Sequence, residues 1–305
     1  MSVPPLFIVG CPRSGTTLLS QLLKESRWGC RSESHFIAKF FKRLPKYGDL
    51  EVAENRAKLL KDILSERPVM QWKLGIDPAD FTRDPATADY STLVDRLCTA
   101  RVNKWGLTAW GDKTPHYIFE MHLLDRLFPE ARFLNVIRDG RDVALSLLEK
   151  PWAPKNMYAC AAFWARCTME TPALRRLRQT NRLIDVRYEE LLAQPEATMR
   201  AIYEFLGEPF DAARLGPMLS GVKRDNFDKW KREMSARQLR TFEGVAGDTL
   251  ERLGYERARP ARRLGLLQRL TGWTDNAVRR AVFLFRLNTW DAFRIRFLGA
   301  EPFGD

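Results

Sequence analysis

A glycine-rich loop near the amino terminus carries groups suited to binding an anion. Gly10 and Gly15 are five positions apart and follow an apolar run. In the phosphate-binding loop of nucleoside triphosphatases, a lysine and then a serine or threonine follow the second glycine directly. Here Thr16 and Thr17 hold those two positions, and the positive charge of the loop is Arg13. The loop therefore keeps backbone N–H groups that bind phosphate but lacks the lysine that a triphosphate with its magnesium ion requires.

An ordinary connection between a strand and a helix can also contain two glycines. Arg13, Ser14, Thr16 and Thr17 nevertheless cluster here, and all four can donate hydrogen bonds to an anion. A turn with a purely structural role gains nothing from such a cluster. We therefore predict an anion site whose ligand resembles a phosphate but differs from a nucleoside triphosphate.

A second set of polar residues follows an apolar run further along the chain. Arg138 stands at the end of this run, where the ligands of parallel sheets bind, and Ser146 lies about two turns into the next predicted helix. Each can contact an anionic group, with Gly140 allowing the sharp passage and Asp142 capping the helix. Alternatively, Arg138 and Asp139 pair on the surface and Ser146 is a solvated helix residue.

The elements that hold these residues alternate between strands and helices. Apolar runs predict strands after the amino terminus and at residues 107–110, 132–137 and 183–186, and helical spacing predicts helices at about 16–24, 117–128, 140–149 and 158–179. Charged residues on helical spacing predict a helical insertion between about 35 and 103. This order indicates an α/β fold with a central parallel sheet, right-handed crossovers and a ligand site at the carboxyl ends of the strands.

Composition limits the class of protein. A chain of 305 residues that is 45% hydrophobic can bury one large core, and its five cysteines form no CxxC pair that would indicate a zinc site. No signal peptide and no membrane-spanning run is recognised, so we expect a cytoplasmic protein. The formal charge of +12 favours anionic partners, namely nucleotides, nucleic acids or acidic lipid surfaces.

The last fifty residues combine arginines with aromatic residues at roughly helical spacing. The residues concerned are Arg262, Arg263, Trp273, Arg279, Arg280, Phe283, Phe285, Trp290, Phe293, Arg294, Arg296 and Phe297. A basic amphipathic helix of this kind can lie on an anionic membrane. It can equally cap the core or form a homodimer, and the sequence leaves these alternatives open.

Five motifs occur in the order and with the spacing of one known family. They are Pro12-Arg-Ser-Gly-Thr-Thr-Leu18, Gly111-Asp-Lys-Thr-Pro115, Leu127-Phe-Pro-Glu-Ala-Arg-Phe133, Ile137-Arg-Asp-Gly-Arg-Asp-Val-Ala-Leu-Ser146 and Val186-Arg-Tyr-Glu-Glu-Leu-Leu192. This set resembles the sulfotransferases that use 3′-phosphoadenylyl sulfate (PAPS), above all the bacterial and tyrosylprotein sulfotransferases. The resemblance implies a P-loop-like three-layer fold. It assigns residues 1–255 to a sulfotransferase domain with a helical insertion at about 36–105, and residues 256–305 to a basic, aromatic, helical extension.

The resemblance also implies which residues bind the donor, with no metal ion. The loop residues expected around its 5′-phosphosulfate are Pro12, Arg13, Ser14, Gly15, Thr16 and Thr17. Arg138 and Ser146 are expected to hold the 3′-phosphate. Tyr188 is expected near the nucleotide, unless it is a core residue that closes a strand. Lys223 and Arg224 fall where the family has a loop that closes over the nucleotide, although a basic turn before a helix would look the same.

At the reacting centre, Arg13 and Lys113 are the candidates for stabilising the charge that develops on the leaving phosphate. Three residues are candidates for the base that takes the acceptor proton. Glu33 matches the position of a glutamate base in the tyrosylprotein and bacterial enzymes, and it is the preferred candidate. His116 is similar to the histidine base of the cytosolic aryl sulfotransferases, with one residue too many after Lys113. His35 is expected to line the pocket or to have a structural role.

The predicted function is in-line transfer of a sulfonate from PAPS to a hydroxyl, or less readily to an amine, with release of adenosine 3′,5′-bisphosphate (PAP). We expect a small-molecule or lipid-like acceptor, and membrane contact at the inner face or a homodimer through the extension. One alternative is a P-loop kinase using ATP and magnesium, which would need a lysine after Gly15. The other is a non-enzymatic basic protein that binds membranes or nucleic acid. Nucleic acid is not expected, because no base-reading motif is recognised.

Overall fold

The computed structural model of the protein describes residues 3–30, 33–258 and 264–285. Within these residues the strands are β1 (Leu6–Gly10), β2 (Gly111–Lys113), β3 (Arg132–Ile137) and β4 (Leu183–Arg187). The α-helices there are α1 (Thr16–Leu22), α2 (Phe36–Phe41), α3 (Ala53–Leu64), α4 (Arg67–Met70), α5 (Pro78–Phe81), α6 (Tyr90–Asn103), α7 (Met121–Leu127), α8 (Gly140–Leu148), α9 (Met157–Cys167), α10 (Pro172–Gln179), α11 (Tyr188–Ala193), α12 (Pro195–Leu206), α13 (Ala212–Ser220), α14 (Trp230–Glu233), α15 (Ala236–Arg252) and α16 (Leu266–Phe285). Short 3-10 helices span Leu44–Lys46, Pro85–Ala88 and Pro115–Phe119.

These elements form two compact units. The first contains residues 1–138 and 170–225, and the second contains residues 139–169 and 226–305. All four strands belong to the first unit, where they form one parallel sheet in the order β2-β1-β3-β4, flanked by helices. The α/β fold with a central parallel sheet is thus confirmed, and so is the helical insertion, which contains α2 to α6.

The sheet is buried as a parallel sheet requires. Leu6, Phe7, Ile8 and Val9 of β1 have no exposed surface, and β3 pairs with β1 along the full length of that strand. A strand covered on both faces reads as a continuous apolar run, which is why β1 and β3 could be found in the sequence. The predicted bounds of β3 are confirmed.

The second strand is displaced from its predicted position. Residues 107–110 lie outside the named strands, and β2 begins at Gly111 instead. The reason is that Ala109 pairs with a different segment: its N–H donates to Arg27 O at 3.3 Å, and its carbonyl accepts from Gly29 N at 3.2 Å. The backbone N–H and C=O of Ala109 therefore bond to the segment at Arg27 and not to β1.

The predicted helix over residues 158–179 is two helices. α9 ends at Cys167 and α10 begins at Pro172, with Thr171 as its N-cap. Proline has no N–H to donate within a helix, and it disfavours helical geometry in the residue before it. The predicted helix over 117–128 is likewise divided, into the 3-10 helix Pro115–Phe119 and α7.

A buried ionic cluster organises the second unit. Arg141 donates to both Asp139, at 2.7 Å, and Glu243, at 2.9 Å, and all three residues are buried. Asp139 is also the N-cap of α8 and accepts from the N–H of Arg141. The expectation that Asp142 caps this helix is wrong, because its Oδ1 accepts from the N–H of Trp230 at 2.9 Å. Asp139 is buried, so it is not a residue of a solvated surface pair.

Part of the predicted basic extension is seen as α16. Among the described residues, no helix is both long enough and apolar enough to cross a membrane. The arginines and aromatic residues predicted at 262, 263, 290, 293, 294, 296 and 297 lie outside the described residues.

Candidate active site

The loop between β1 and α1 has the backbone geometry of an anion cradle. Arg13 and Gly15 both have positive φ, 74° and 101°, and Ser14 N donates to Cys11 O at 3.1 Å. Alternation of this kind turns successive N–H groups to one side of a loop. Gly10 ends β1 with φ 142°, and a Cβ there would lie 2.5 Å from Val136 O. Both glycines are therefore required by the close fit of the loop.

The polar side chains of the loop differ in exposure. Ser14 is 1% exposed, and its hydroxyl has no hydrogen-bond partner among the described residues. A buried hydroxyl without a partner is uncommon in folded proteins. Thr16 is buried at the first position of α1, whereas Arg13 and Thr17 are exposed. The Ser14 hydroxyl could thus donate a hydrogen bond to a ligand of the loop, and the identity of that ligand stays a prediction.

The ring of Tyr188 packs against the loop at Gly15. Tyr188 is 4% exposed, and a Cβ on Gly15 would overlap its ring. The guanidinium carbon of Arg138 lies 4.3 Å from the centre of the same ring, and Arg138 Nη1 is 3.4 Å from the carbonyl of Arg13. The loop, the end of β3 and the residue after β4 are therefore in mutual contact at the carboxyl end of the sheet.

Lys113 and Glu33 form an ion pair at the end of β2. Lys113 Nζ donates to Glu33 Oε1 at 2.7 Å, and the lysine side chain is 9% exposed. The other carboxylate oxygen lies 2.9 Å from His35 Nε2. Because Ile8 of β1 pairs with Lys113, this group lies one strand away from the start of the anion loop.

Three buried residues hold Glu33 against Lys113. The N–H of Ser34 donates to Thr114 Oγ1 at 3.1 Å, and the Ser34 hydroxyl is 3.1 Å from the hydroxyl of Tyr117. Tyr117 also accepts from the N–H of Ile37 at 3.1 Å. The segment that carries Glu33 is thus bonded to the segment that follows Lys113, in a region where unpaired groups would be costly.

The two candidate histidines lie beside this pair. The ring centres of His35 and His116 are 6.3 Å apart, and both residues are exposed. His35 has φ 57°, an uncommon backbone conformation outside glycine. It turns the chain between Glu33 and α2. The three residues predicted as candidates for the base are therefore neighbours in the structure.

The pKa values differ among these candidates. Burial acts to raise the pKa of Glu33, but the hydrogen bonds from His35 and Lys113 outweigh it and lower this pKa to about 2. Desolvation, followed by the effect of His35, lowers the pKa of His116 below its ordinary value. At neutral pH Glu33 is therefore a carboxylate and His116 is an uncharged imidazole, so each can accept a proton.

Three other predicted site residues lie in or after other helices. Ser146 is half-buried in α8 of the second unit, and Lys223 and Arg224 are exposed after α13 in the first unit. Their contacts with the donor stay predictions. Among the residues the structure covers, no group of histidine, cysteine, aspartate and glutamate is arranged to hold a metal ion.

The sequence did not point to Ser34 or Tyr117 as residues that position the site. Thr114 lies inside one of the recognised motifs, and its neighbourhood to Lys113 was a usable signal. Tyr117 lies outside these motifs, and only the fold brings it to Ser34.

The chain is similar to known proteins over most of its length. The model of the sulfotransferase family matches residues 4–212, which is more than half of the chain. The omega-hydroxy-beta-dihydromenaquinone-9 sulfotransferase Stf3 of Mycobacterium bovis is 23% identical over 301 residues, covering 84% of this chain and 76% of its own. Protein-tyrosine sulfotransferase 1 of Danio rerio is 25% identical over 281 residues, covering 83% and 73%.

A solved structure shows the same fold. The sulfotransferase domain of the Synechococcus PCC 7002 olefin synthase has a TM-score of 0.51 and 22% identity, covering 84% of this chain and 96% of its own. The match of the family model over more than half of the chain shows that this chain belongs to the sulfotransferase family and is a sulfotransferase.

Proposed function

We propose that this enzyme transfers a sulfonate from PAPS to a hydroxyl of a small-molecule or lipid-like acceptor, and releases PAP. The observation that carries the proposal is the Lys113–Glu33 pair, 2.7 Å apart and one strand from the anion loop. The pair combines a cation for the leaving group with a base for the acceptor. The names of the two relatives specify a hydroxylated menaquinone and protein tyrosine, which both bear hydroxyls.

The loop is suited to the 5′ end of the donor. Its backbone N–H groups and the buried Ser14 hydroxyl would hold the phosphosulfate, and Arg13 would add positive charge. Arg138, held by Tyr188 at the end of β3, would bind the 3′-phosphate. Ser146, Lys223 and Arg224 are included as donor ligands on the family resemblance alone.

The chemistry needs a proton acceptor, an in-line geometry and a cation. PAPS, when bound, supplies a sulfonate linked to a phosphate leaving group. In the proposed step Glu33 takes the proton of the acceptor hydroxyl while the oxygen of that hydroxyl bonds to sulfur. The bond between sulfur and the bridging oxygen of the phosphate breaks at the same time. Lys113 and Arg13 stabilise the negative charge that the phosphate gains.

The ion pair links these two roles. While Lys113 donates to Glu33, the carboxylate is a weak base, with a pKa of about 2. Transfer of that hydrogen bond from Glu33 to the sulfonate would raise the pKa of Glu33. Binding of the donor would thereby increase the basicity of the residue that activates the acceptor.

Nucleotide binding measured by calorimetry tests the choice of donor. We expect PAP to bind without metal and more tightly than ATP with magnesium, and Arg138→Ala to weaken PAP more than ATP. The matched control is Arg126→Ala, a change of another arginine in the first unit, in α7. Tighter binding of ATP with magnesium would refute the proposal in favour of a kinase. Transfer from radiolabelled PAPS to a panel of hydroxylated lipids and small phenols then tests the acceptor class.

A further inference from the structure

The helix α16 presents an unusually apolar face to solvent. Its exposed large apolar side chains are Leu266, Leu267, Leu270, Trp273, Val278 and Val282, with Leu267 78% and Trp273 64% exposed. At helical spacing they cover about half of the circumference. Single exposed apolar residues are ordinary, but a contiguous patch indicates an interaction surface.

The polarity of α16 is reversed relative to a normal surface helix. It packs on the start of α9 mainly through polar and small groups: Asn276 Oδ1 accepts from Lys155 N at 2.8 Å, and Gly272 O accepts from Asn156 Nδ2 at 2.9 Å. Phe283 adds an apolar contact on the same side, with its ring centre 4.2 Å from Lys155 Nζ. A Cβ on Gly272 would lie 2.6 Å from the ring of Tyr158. A surface helix ordinarily turns its apolar stripe to the core. In α16, the side opposite the apolar arc makes the contact with the start of α9.

The two threonines within the apolar arc do not make it polar. Thr271 Oγ1 donates to Leu267 O at 2.9 Å, and Thr274 Oγ1 donates to Leu270 O at 2.9 Å. Their hydroxyl protons are therefore used inside the helix. The arc contains no charged residue, since Arg269, Asp275, Arg279 and Arg280 all fall outside it.

We propose that α16 docks this enzyme on the surface of a membrane that contains anionic lipids. Arg269 and Arg280 are exposed and lie along one edge of the arc, and Arg279 lies along the other. Leucine and tryptophan in the lipid boundary, flanked by arginines at the level of the head groups, are the arrangement of helices that lie in the membrane interface.

The charge along the edges selects lipid over a second copy of the chain. Asp275, the acidic residue of α16, bonds to Arg279 at 2.8 Å and to Asn156 at 2.7 Å. Asp275 offsets the charge of Arg279, so the net positive charge of α16 lies on the edge with Arg269 and Arg280. A second α16 would bring two more arginines to such an edge, and like charges repel. Anionic head groups offer the complementary charge, and the lipid boundary accepts the apolar arc.

Vesicle co-sedimentation of the full chain tests the proposal. We expect binding to an equal mixture of phosphatidylcholine and phosphatidylglycerol, weaker binding to phosphatidylcholine alone, and weakening of the former by salt. The variant L270E/W273E should bind the mixed vesicles about a hundredfold more weakly, because two large apolar side chains no longer enter the lipid.

The control variant is V52E/M70E, which adds the same two charges at exposed apolar positions of the first unit. It should bind vesicles like the unchanged protein, and circular dichroism should show both variants folded. Three results would overturn the proposal: no binding by the unchanged protein, equal binding by L270E/W273E, or a dimer in sedimentation equilibrium that this variant converts to a monomer. PAP binding by L270E/W273E should be unchanged, which separates this test from that of the donor.

Discussion

Glu33 is held by two hydrogen bonds that set its protonation state. Lys113 and His35 together outweigh the effect of burial, so the carboxylate is ionised far below neutral pH. A general base must be in its unprotonated form before it can act, and Glu33 meets that condition. On the proposed mechanism, the low basicity of Glu33 in this arrangement would make Lys113 a determinant of the rate as well as of charge stabilisation.

Replacement of the proposed base is the direct test at this scale. Glu33→Gln keeps the size of the side chain but removes its basicity, so kcat for sulfonate transfer should fall about 10²–10⁴-fold. His116→Gln should lower kcat by less than about tenfold, because on this assignment His116 is a polar neighbour of the base and does not take the proton. Single-turnover measurement with bound donor isolates the chemical step. A larger loss in His116→Gln than in Glu33→Gln would make His116 the base.

The pKa of Glu33 can itself be measured. Lys113→Met removes one hydrogen bond and one positive charge, so this pKa should rise from about 2 toward its ordinary 4.5. Because the folded-state pKa lies below the unfolded one, ionised Glu33 stabilises the fold above about pH 4.5, and this contribution is lost as the pH falls toward 2. In the variant the contribution should be smaller.

Carbon NMR of labelled glutamate carboxyls would follow this titration, with Glu33→Gln to assign the signal. Lys39→Met is the matched control, since Lys39 pairs with Glu66 at 2.6 Å elsewhere in the first unit. It should leave the pKa of Glu33 unchanged. A Glu33 pKa that stays near 2 in Lys113→Met would show that the lysine does not control it.

At the scale of elements, the anion loop depends on its contact with the start of α11. Gly15→Ala must accept a φ of 101° and also displace Tyr188, whereas Gly75→Ala meets a φ of 67° with no atom within 4 Å of the new Cβ. Unfavourable backbone geometry alone costs about 1–2 kcal/mol. We expect urea unfolding to show this loss for Gly75→Ala, and a larger loss together with weaker PAP binding for Gly15→Ala. Equal losses in both variants would mean that the contact with Tyr188 is unimportant.

The hydrogen bond from Ser34 N to Thr114 Oγ1 joins the segment of Glu33 to the end of β2, and its role can be tested separately. Thr114→Val leaves the buried N–H of Ser34 without its acceptor, which should cost about 1–3 kcal/mol in unfolding and lower kcat by misplacing Glu33. Thr114→Ser keeps the oxygen and should restore kcat. Loss of stability without any loss of kcat would show that Thr114 supports the fold but does not position the base.

At the scale of the whole molecule, 50 basic and 38 acidic residues leave a net charge of +12. An anionic donor is attracted to such a surface over distances that salt shortens, from about 30 Å at 0.01 M to about 8 Å at 0.15 M ionic strength. We expect kcat/KM for PAPS to fall several-fold as the ionic strength rises from about 0.01 M to about 0.15 M. The KM for an uncharged acceptor should stay constant in the same assay. A kcat/KM for PAPS that does not change with salt would show that steering by the net charge is negligible.

Features that are contiguous along the chain could be recognised without the fold. The anion loop, β3 and the start of α8 were predicted because their conformations depend on neighbouring residues and on continuous apolar runs. One of the failures has a distant cause and the other a local cause. Strand β2 was displaced because Ala109 pairs with the segment at Arg27, and one predicted helix was divided at Pro172.

The arrangement of the candidate site was decided by the tertiary structure. Lys113 and Glu33 are 80 residues apart in sequence and meet because β2 pairs beside β1 and because Ser34 is bonded to Thr114. Their hydrogen bond, together with that from His35, then holds Glu33, the proposed base, in its ionised form. The periodicity of α16 indicated an amphipathic helix, but its packing on α9 decided that the apolar face is the one exposed. Such outcomes depend on contacts between distant segments, and spacing along one segment carries no information about them.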